Sequence, residues 1–152
     1  MICVIQRVLS ASVIADGAQA GKIGKGLYIL LGVESGDGER EAIALAEKIS
    51  KLRIFSDEMG KMNLSVKDIG GEALVVSNFT LCANYAHGNR PDYLRSAPPA
   101  VADRLYNFFI CELKERVGVV RSGVFGADMK TDMTTDGPVT IVMSSDVLLK
   151  KG

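Results

Sequence analysis

The alternation of apolar and polar positions predicts a chain built mostly from strands. "ICVIQRVLSASVI" alternates with a period of two, which is typical of a strand with one buried face. "LYILLGV" is a continuous apolar run and predicts a strand buried on both faces. "EALVVSNFTL" is strand-like because its centre is β-branched. Two further strands are predicted around "VVRSGVFGADM" and "MTTDGPVTIVM".

The first predicted helix lies in "SGDGEREAIALAEKISKLRIF". Turn residues open this segment, and apolar side chains then recur at helical spacing. The predicted buried stripe consists of Ile43, Ala46, Ile49 and Leu52.

The second predicted helix has signals at both ends. Ser96 is a residue type that caps helices, Pro98 and Pro99 suit a first turn, and Gly118 is typical of a helix end. Its predicted buried stripe consists of Val101, Leu105, Phe108, Phe109, Leu113 and Val117.

The remaining segments are predicted to be connections. "ADGAQAGKIGKG" is typical of hairpin turns, and "SDEMGKMNLSVKDIGG" of a loop that contains at most one short strand. "CANYAHGNRPDYLRSAPP" is a long irregular stretch, and such stretches are often functional.

Strands before, between and after only two helices predict the α+β class. We expect a strongly curved, barrel-like, mainly antiparallel sheet with two main helices packed outside it. The 152 residues fit one domain, 1–152, in which the segment after about residue 144 has no clear assignment.

Composition narrows the possible partners. Eighteen basic residues balance eighteen acidic ones, whereas proteins that coat nucleic acids are usually basic. We therefore expect no DNA partner, whereas a small footprint on the end of a nucleic acid needs only a few basic side chains and is compatible with this balance. No apolar run reaches the roughly 18 residues of a membrane span, and the first residues do not resemble a signal peptide. These features predict no membrane partner and a cytoplasmic protein.

Few residues suit conventional catalysis or metal binding. Cys3, Cys82 and Cys111 are far apart, without a CxxC pair, and are predicted to be reduced structural cysteines. His87 is the only histidine and lies in a polar loop, where we expect it to be solvated. "GKIGKG" lacks the residues and the following helix of a phosphate-binding loop, so a hairpin turn is favoured. We expect neither metal nor cofactor.

Two stretches remain as candidates for chemistry, "VSNFTL" at positions 76–81 and "DGPVT" at positions 136–140. Each places small hydroxyl side chains beside glycine, proline or an aromatic residue near a strand end. A proline cannot donate to a sheet ladder, so a Gly-Pro pair inside a predicted strand indicates an edge, a bulge or a turn. From the residues alone, a purely structural turn and a functional site are equally compatible with these stretches.

Together with "IQRV", "FSDEMGKMNLSV" and "GNRP", these stretches resemble the D-aminoacyl-tRNA deacylase family in order and spacing, from Met1 to about Met143. The resemblance implies a hydrolase that cleaves the ester of D-aminoacyl-tRNA, and also glycyl-tRNA mischarged on tRNA-Ala. Its partner would be the acceptor end of the tRNA. It implies a homodimer in which each subunit inserts a cis Gly-Pro peptide into the pocket of the other.

The first family motif, Ser-Gln-Phe-Thr, matches Ser77, Asn78, Phe79 and Thr80, and implies the catalytic residues. Asn78 replaces the glutamine and is one methylene shorter. Backbone N–H groups around Phe79 and Thr80 would bind the developing oxyanion. A threonine nucleophile needs an adjacent base, and none is evident. We therefore expect Thr80 to position or polarise, while the 2′-hydroxyl of the terminal adenosine helps to activate water.

The second family motif, Asn-x-Gly-Pro-x-Thr, matches Thr135, Gly137, Pro138 and Thr140, and implies substrate binding. Thr135 replaces the asparagine and lacks its amide. The resemblance implies that Gly137 and Pro138 reject L-amino acids by steric conflict with rigid backbone. Arg7, which matches the arginine of the family near the N-terminus, would orient them through bonds to backbone.

A few basic side chains could contact phosphates at the acceptor end. The candidates are Lys61, Arg90, Arg95 and Lys130. Three alternatives stay open: a sibling editing deacylase that acts on L-aminoacyl-tRNA, a non-catalytic module that binds the acceptor end, and a small dimeric scaffold.

Overall fold

One long strand, β1 (Ile2–Ala15), organises the sheet. The computed structural model describes residues 1–150. In it, one edge of β1 pairs antiparallel first with β3 (Gly26–Gly32) and then with β2 (Ala18–Ile23). The other edge pairs antiparallel with β8 (Met129–Ser144) along almost its whole length. The strands predicted from alternation and from the continuous apolar run are thus confirmed.

The rest of the sheet is parallel. β3 pairs with β6 (Glu72–Ser77), and β6 pairs with β7 (Val120–Ser122). The α+β class and the curved, barrel-like sheet are confirmed; the sheet is mixed, with antiparallel pairing along both edges of β1 and parallel pairing between β3, β6 and β7. The reason is that each helical segment returns the chain to the same end of the sheet, and such crossovers join parallel strands.

The first helix, α1 (Glu39–Lys51), packs on one face of the sheet. Ile43 was predicted to be buried but is 37% exposed, and Leu52 lies just beyond the helix end. Ala46 and Ile49 are buried as predicted, and Ala42 and Leu45 are buried beside them because α1 packs against the second helix as well as the sheet. Its buried residues are Ala42, Leu45, Ala46, Ile49 and Ser50.

The second helix, α2 (Pro99–Val117), begins at Pro99 and ends before Gly118, whose φ of +94° suits glycine. Pro98, not Ser96, occupies the cap position, without a side-chain cap. Val101 is 36% exposed because it lies on the solvent side of the first turn. The buried residues of α2 are Ala102, Leu105, Tyr106, Phe109 and Leu113.

The opposite face of the sheet curls around a second core. Val8, Val13, Tyr28, Leu74 and Val76 are among its buried members. The sheet nearly closes into a barrel where β2 approaches β6 and β7. At that point a Cβ on Gly21 would lie 2.9 Å from a methyl carbon of Leu74 and 3.0 Å from the backbone carbonyl oxygen of Ser122, so glycine suits this close approach.

Several connections contain more structure than their composition indicates. The predicted turn segment after β1 contains β2 between two tight turns. The predicted loop after α1 contains a hairpin of β4 (Phe55–Ser56) and β5 (Met62–Leu64). β8 is followed by a short helix, α3 (Ser145–Leu149). The last two residues of the predicted domain, Lys151 and Gly152, lie outside the described residues.

Candidate active site

A cavity of about 700 Å³ opens where the parallel strands β3 and β6 end. The N-terminal half of α2 forms one wall, and the segment 125–127 before β8 forms another. The lining residues are Leu31, Val33, Ser77, Asn78, Phe79, Tyr93, Ser96, Ala97, Pro98, Pro99, Ala102, Tyr106, Phe125, Gly126, Ala127 and Met129. The cavity is therefore mostly apolar, with polar groups gathered at the end of β6.

The end of β6 turns directly into a short 3₁₀ helix, Phe79–Cys82. The N–H of Asn78 donates to the carbonyl of Leu31 at 2.8 Å, and the N–H of Leu81 donates to the carbonyl of Asn78 at 3.3 Å. The N–H groups of Phe79 and Thr80 occupy the first two helical positions, where no acceptor exists within the helix. They have no hydrogen-bond partner among residues 1–150. Two adjacent donors are thus available at the cavity rim.

The hydroxyl of Thr80 donates a hydrogen bond to the side-chain oxygen of Asn78. The shorter amide at position 78 therefore still contacts the threonine of the motif. Thr80 is exposed, and it follows Phe79, which is 59% exposed although its ring lines the cavity. The motif lies at an open rim, not in an enclosed pocket.

Within residues 1–150, the lining of the cavity carries no charged side chain. Of the described residues that line it, none is a carboxylate, an imidazole, an ammonium or a guanidinium. Its most buried ionisable group is Tyr106, which donates to the carbonyl of Val75 at 2.9 Å. Burial raises the pKa of Tyr106 to about 12, so this phenol remains neutral and positions rather than transfers protons.

The Gly-Pro stretch forms a bulge inside β8. Gln6 pairs with Thr140 and Val8 pairs with Thr135, so the four residues 136–139 lie opposite Arg7 alone. The peptide bond between Gly137 and Pro138 is cis, and both residues are exposed. A bulge, not a hairpin turn, accommodates the proline in a strand that continues on both sides.

Arg7 holds the base of this bulge. Its Nε donates to the carbonyl of Asp136 at 2.9 Å and lies 3.2 Å from the carboxylate of the same residue. Its Nη1 donates to the carbonyl of Ile54 at 2.8 Å. The side chain of Arg7 is only 11% exposed, so it is fixed on both sides rather than solvated.

The structure separates the predicted site residues into two groups. Ser77, Asn78 and Phe79 line the cavity, and Thr80 follows at its rim. The second group lies at or beside the bulge, does not line the cavity of the same chain, and consists of Arg7, Thr135, Gly137, Pro138 and Thr140.

The basic candidates are scattered over the surface. Arg90 and Arg95 lie in the loop beside the cavity, and Arg95 pairs with Glu34. Lys61 lies in the β4–β5 hairpin, and Lys130 pairs with Asp128 at 2.8 Å.

Sequence reasoning missed the wall that α2 contributes. Ala102 and Tyr106 line the cavity, although the predicted buried stripe of this helix contains neither of them. In "RSAPPA" at the start of α2, the serine and the two prolines indicate a helix start, and the structure also places residues 96–99 in the cavity lining. The long irregular segment before it was a usable signal, since Tyr93 and Ser96 of that segment also line the cavity.

The other candidate residues remain apart from the cavity chemistry. His87 is exposed on the long loop. Cys3, Cys82 and Cys111 are all free cysteines, of which Cys3 and Cys82 are buried whereas Cys111 is exposed on the solvent side of α2. Burial thus supports the predicted structural role only for Cys3 and Cys82. Residues 1–150 contain no cluster of three potential metal ligands. No helix within that range is long and apolar enough to cross a membrane.

Known proteins of one family match this chain over most of its length. Residues 4–144 match the family model described as "D-Tyr-tRNA(Tyr) deacylase". A D-aminoacyl-tRNA deacylase of Ruegeria pomeroyi is 53% identical over 143 residues, which cover 94% of this chain and 99% of the relative. One of Yersinia enterocolitica is 53% identical over 140 residues, which cover 92% and 97%.

Two solved structures have the same fold. One, titled "c-Myc DNA Unwinding Element Binding Protein", superposes with a TM-score of 0.88 at 40% identity and covers 95% of this chain and 98% of its own. The other, titled "Structural Analysis of a probable eukaryotic D-amino acid tRNA deacylase", has a TM-score of 0.81 at 13% identity and covers 93% and 97%. The second likeness supports the fold alone.

Proposed function

This chain belongs to the D-Tyr-tRNA(Tyr) deacylase family and hydrolyses the ester of D-aminoacyl-tRNA, and we propose that two subunits build each of its sites. One subunit supplies the cavity with the N–H groups of Phe79 and Thr80. The other supplies the Gly137–Pro138 bulge. The observation that carries this proposal is that both motifs are exposed, yet they lie at different places on one chain.

The bulge is placed for contact with a second copy of the chain. Among residues 1–150, β8 pairs only with β1, so its other edge is open for a partner. Val142, four residues beyond Pro138, is 72% exposed, an apolar side chain that a subunit interface would cover. A two-fold dimer would place each bulge against the other subunit, because such an interface is self-complementary.

Rigid backbone is a suitable gate for chirality. With carbonyl groups of Gly137 and Pro138 fixed near the α-carbon of the substrate, an L side chain would collide with main chain. A D-amino acid would direct its side chain away from this backbone, so the enzyme would accept many D-amino acids. Glycine has only a hydrogen at that position, so glycyl-tRNA mischarged on tRNA-Ala would also be accepted. An L-amino acid is thus rejected by steric conflict, and the site needs no specific contact to the side chain of a D-amino acid.

The chemical step relies on positioning. The ester carbonyl oxygen would lie between the N–H groups of Phe79 and Thr80, and one such donor is typically worth about 3–4 kcal/mol in a transition state. The lining offers no general base, so the 2′-hydroxyl of the terminal adenosine is the nearest group that can orient and activate water. The hydroxyl of Thr80, held by Asn78, would align that water or the ribose.

Mixing two variants tests the shared site. Thr80→Ala alters the cavity and Gly137→Ala alters the bulge, where a Cβ would lie 2.2 Å from the backbone nitrogen of Val139. In a mixed dimer, one of the two sites regains an intact cavity and an intact bulge. Refolding the two inactive variants together should restore about a quarter of the wild-type activity on D-Tyr-tRNA, as random two-fold pairing requires. No restoration, with mixed dimers present, would contradict the proposal.

A substrate that ends in 2′-deoxyadenosine tests the role of the RNA. We expect the wild-type enzyme to hydrolyse it at least 100-fold more slowly than the ribose ester, which corresponds to an activation free energy higher by about 3 kcal/mol. Rapid hydrolysis of the deoxy ester, combined with a dead Thr80→Ala variant, would instead indicate a threonine nucleophile.

The same assay separates the remaining alternatives. Matched D- and L-Tyr-tRNA would identify an L-specific editing enzyme by preference for the L-ester, and a binding module by retention without release of amino acid. The balanced charge favours contact with the acceptor end alone, in the cytoplasm where aminoacyl-tRNA is used. Unlabelled duplex DNA is the competitor control, and we expect it to leave the rate unchanged.

A further inference from the structure

The loop between the 3₁₀ helix and α2 exposes apolar side chains beside the cavity. We call residues 84–95 the rim loop. Tyr85 is 80% exposed and Leu94 is 87% exposed. Large apolar side chains at such exposure, gathered in one short loop next to a site, indicate a surface that a partner covers.

The rim loop is ordered by its own hydrogen bonds. Asn84 and Asp92 exchange two backbone hydrogen bonds of 2.9 Å, and the side-chain amide of Asn84 donates to the carboxylate of Asp92 at 3.0 Å. The N–H of Ala86 donates to the Asn84 side chain at 3.2 Å, and the N–H of Leu94 donates to the Asp92 side chain at 3.2 Å. Tyr85 is thus presented from a fixed base, which lowers the entropic cost of using it in binding.

The rim loop and the residue that follows it contact Phe79 at the rim of the cavity. The ring of Tyr93 contacts the ring of Phe79 edge to face, with centroids 5.0 Å apart. The hydroxyl of Ser96 donates to the carbonyl of Phe79 at 3.4 Å. A chain that leaves the cavity past Phe79 therefore meets the rim loop next.

The charges of the loop fit an anionic chain. Arg90 is exposed and forms no ion pair within residues 1–150, whereas Arg95 pairs with Glu34 and the carboxylate of Asp92 accepts from the Asn84 side chain. Aromatic rings for stacking, interleaved with cationic side chains for phosphates, are the combination that binds single-stranded nucleic acid.

We propose that the rim loop is a stacking platform for the unpaired nucleotides immediately 5′ of the terminal adenosine. Tyr85 stacks on a base and Arg90 contacts a phosphate, while the ester occupies the cavity. This inference rests on the proposed function, since it extends the same substrate out of the same site. It explains how a chain without net charge holds an RNA end, because stacking replaces much of the electrostatic attraction.

Binding of two non-hydrolysable probes tests this inference without relying on turnover. One is the 3′-amide analogue of D-tyrosyl-adenosine alone, and the other is the same group at the end of the trinucleotide C-C-A. Tyr85→Ala should weaken binding of the trinucleotide about tenfold and leave binding of the single nucleoside unchanged. Tyr85→Phe should bind the trinucleotide like the wild type. Met59→Ala, in the β4–β5 turn and also 80% exposed in the wild type, is the matched control and should change neither affinity.

Each other result has a defined meaning. An equal loss for both probes, or no loss for either, would overturn the stacking role of Tyr85. Arg90→Gln should reduce the slope of the logarithm of trinucleotide affinity against the logarithm of salt concentration by the equivalent of about one phosphate contact. An unchanged slope would show that Arg90 does not contact a phosphate. If the wild-type protein binds neither probe, the proposed site itself is wrong and the platform falls with it.

Discussion

Replacing Arg7 with methionine tests whether the bulge must be held in place for activity. Methionine keeps much of the volume and the apolar contacts of the stem but removes every donor. The carbonyls of Asp136 and Ile54 then lose donors at 2.9 Å and 2.8 Å, and the Asp136 carboxylate loses its ion pair. Other contacts of β1 remain, so the variant should still fold.

The magnitude follows from the burial of these groups. A hydrogen bond from a charged donor is worth about 1.5–3 kcal/mol, and Arg7 makes two to backbone. Breaking a buried ionic contact from one side costs about 3–5 kcal/mol. Asp136 is 35% exposed, so water recovers part of this cost, and we expect about 3 kcal/mol. If that energy fixes the bulge, the competent geometry becomes roughly 100-fold less populated.

The assay compares rates on D-Tyr-tRNA and L-Tyr-tRNA with stability in urea. We expect Arg7→Met to lose about 100-fold in kcat/KM on the D-ester and to discriminate less between the two hands. Arg7→Lys keeps the charge but lacks the fork that reaches two carbonyls, so it should be intermediate. Arg104→Met is the control, because Arg104 pairs with Glu39 at 3.0 Å on the exposed surface, where such pairs contribute little. A folded Arg7→Met protein with the wild-type D-rate and D/L ratio would refute the reasoning.

Two further predictions concern the scaffold. Burial raises the pKa of Tyr106 from 10.0 to about 12, so its contribution to stability is complete below about pH 10 and is lost as the pH rises toward 12. The stability advantage of the wild type over Tyr106→Phe should therefore shrink by about 1.4 kcal/mol between about pH 9 and about pH 11 in urea titrations, and a constant difference would contradict the assignment. Gly26→Ala should cost at least about 3 kcal/mol, because its Cβ would lie 1.8 Å from the carbonyl oxygen of Glu72, whereas Gly24→Ala, with nothing within 4 Å, should be nearly neutral in thermal unfolding.

The predictions that were wrong concern the buried face of the first helix and the segment that forms β2, and both depend on which other elements pack or pair there. Helical spacing correctly predicted α1, but it predicted that Ile43 is buried, whereas the structure buries Ala42 and exposes Ile43. Both positions belong to an apolar stripe, and the choice between them depends on what packs against the helix. β2 was missed because its glycine and alanine content is typical of turns, and it is a strand only because β1 offers a long edge to pair with.

The candidate site was predicted in pieces. Local residue chemistry singled out Ser77 to Thr80 and the Gly137–Pro138 stretch as candidates and did not favour metal or triad chemistry. The family resemblance implied the roles of these residues, and those roles remain predictions. Local residue chemistry did not identify Tyr93 or Tyr106 as lining residues. Tyr93 lies in the loop and Tyr106 in the helix of the connection that crosses over from β6 to the parallel strand β7, so their place in the lining depends on pairing between segments far apart in sequence.

The sequence by itself determined the properties that depend on neighbours along the chain. Period-two alternation specified β1, a proline pair and a glycine specified the ends of α2, and the motif residues specified the family. Tertiary structure alone decided that the strand ends and α2 enclose one cavity, and that the Gly-Pro bulge, fixed by Arg7, lies outside it. The physical reason is that backbone preferences are local, whereas a cavity and the position of an edge strand depend on crossovers and register between distant segments.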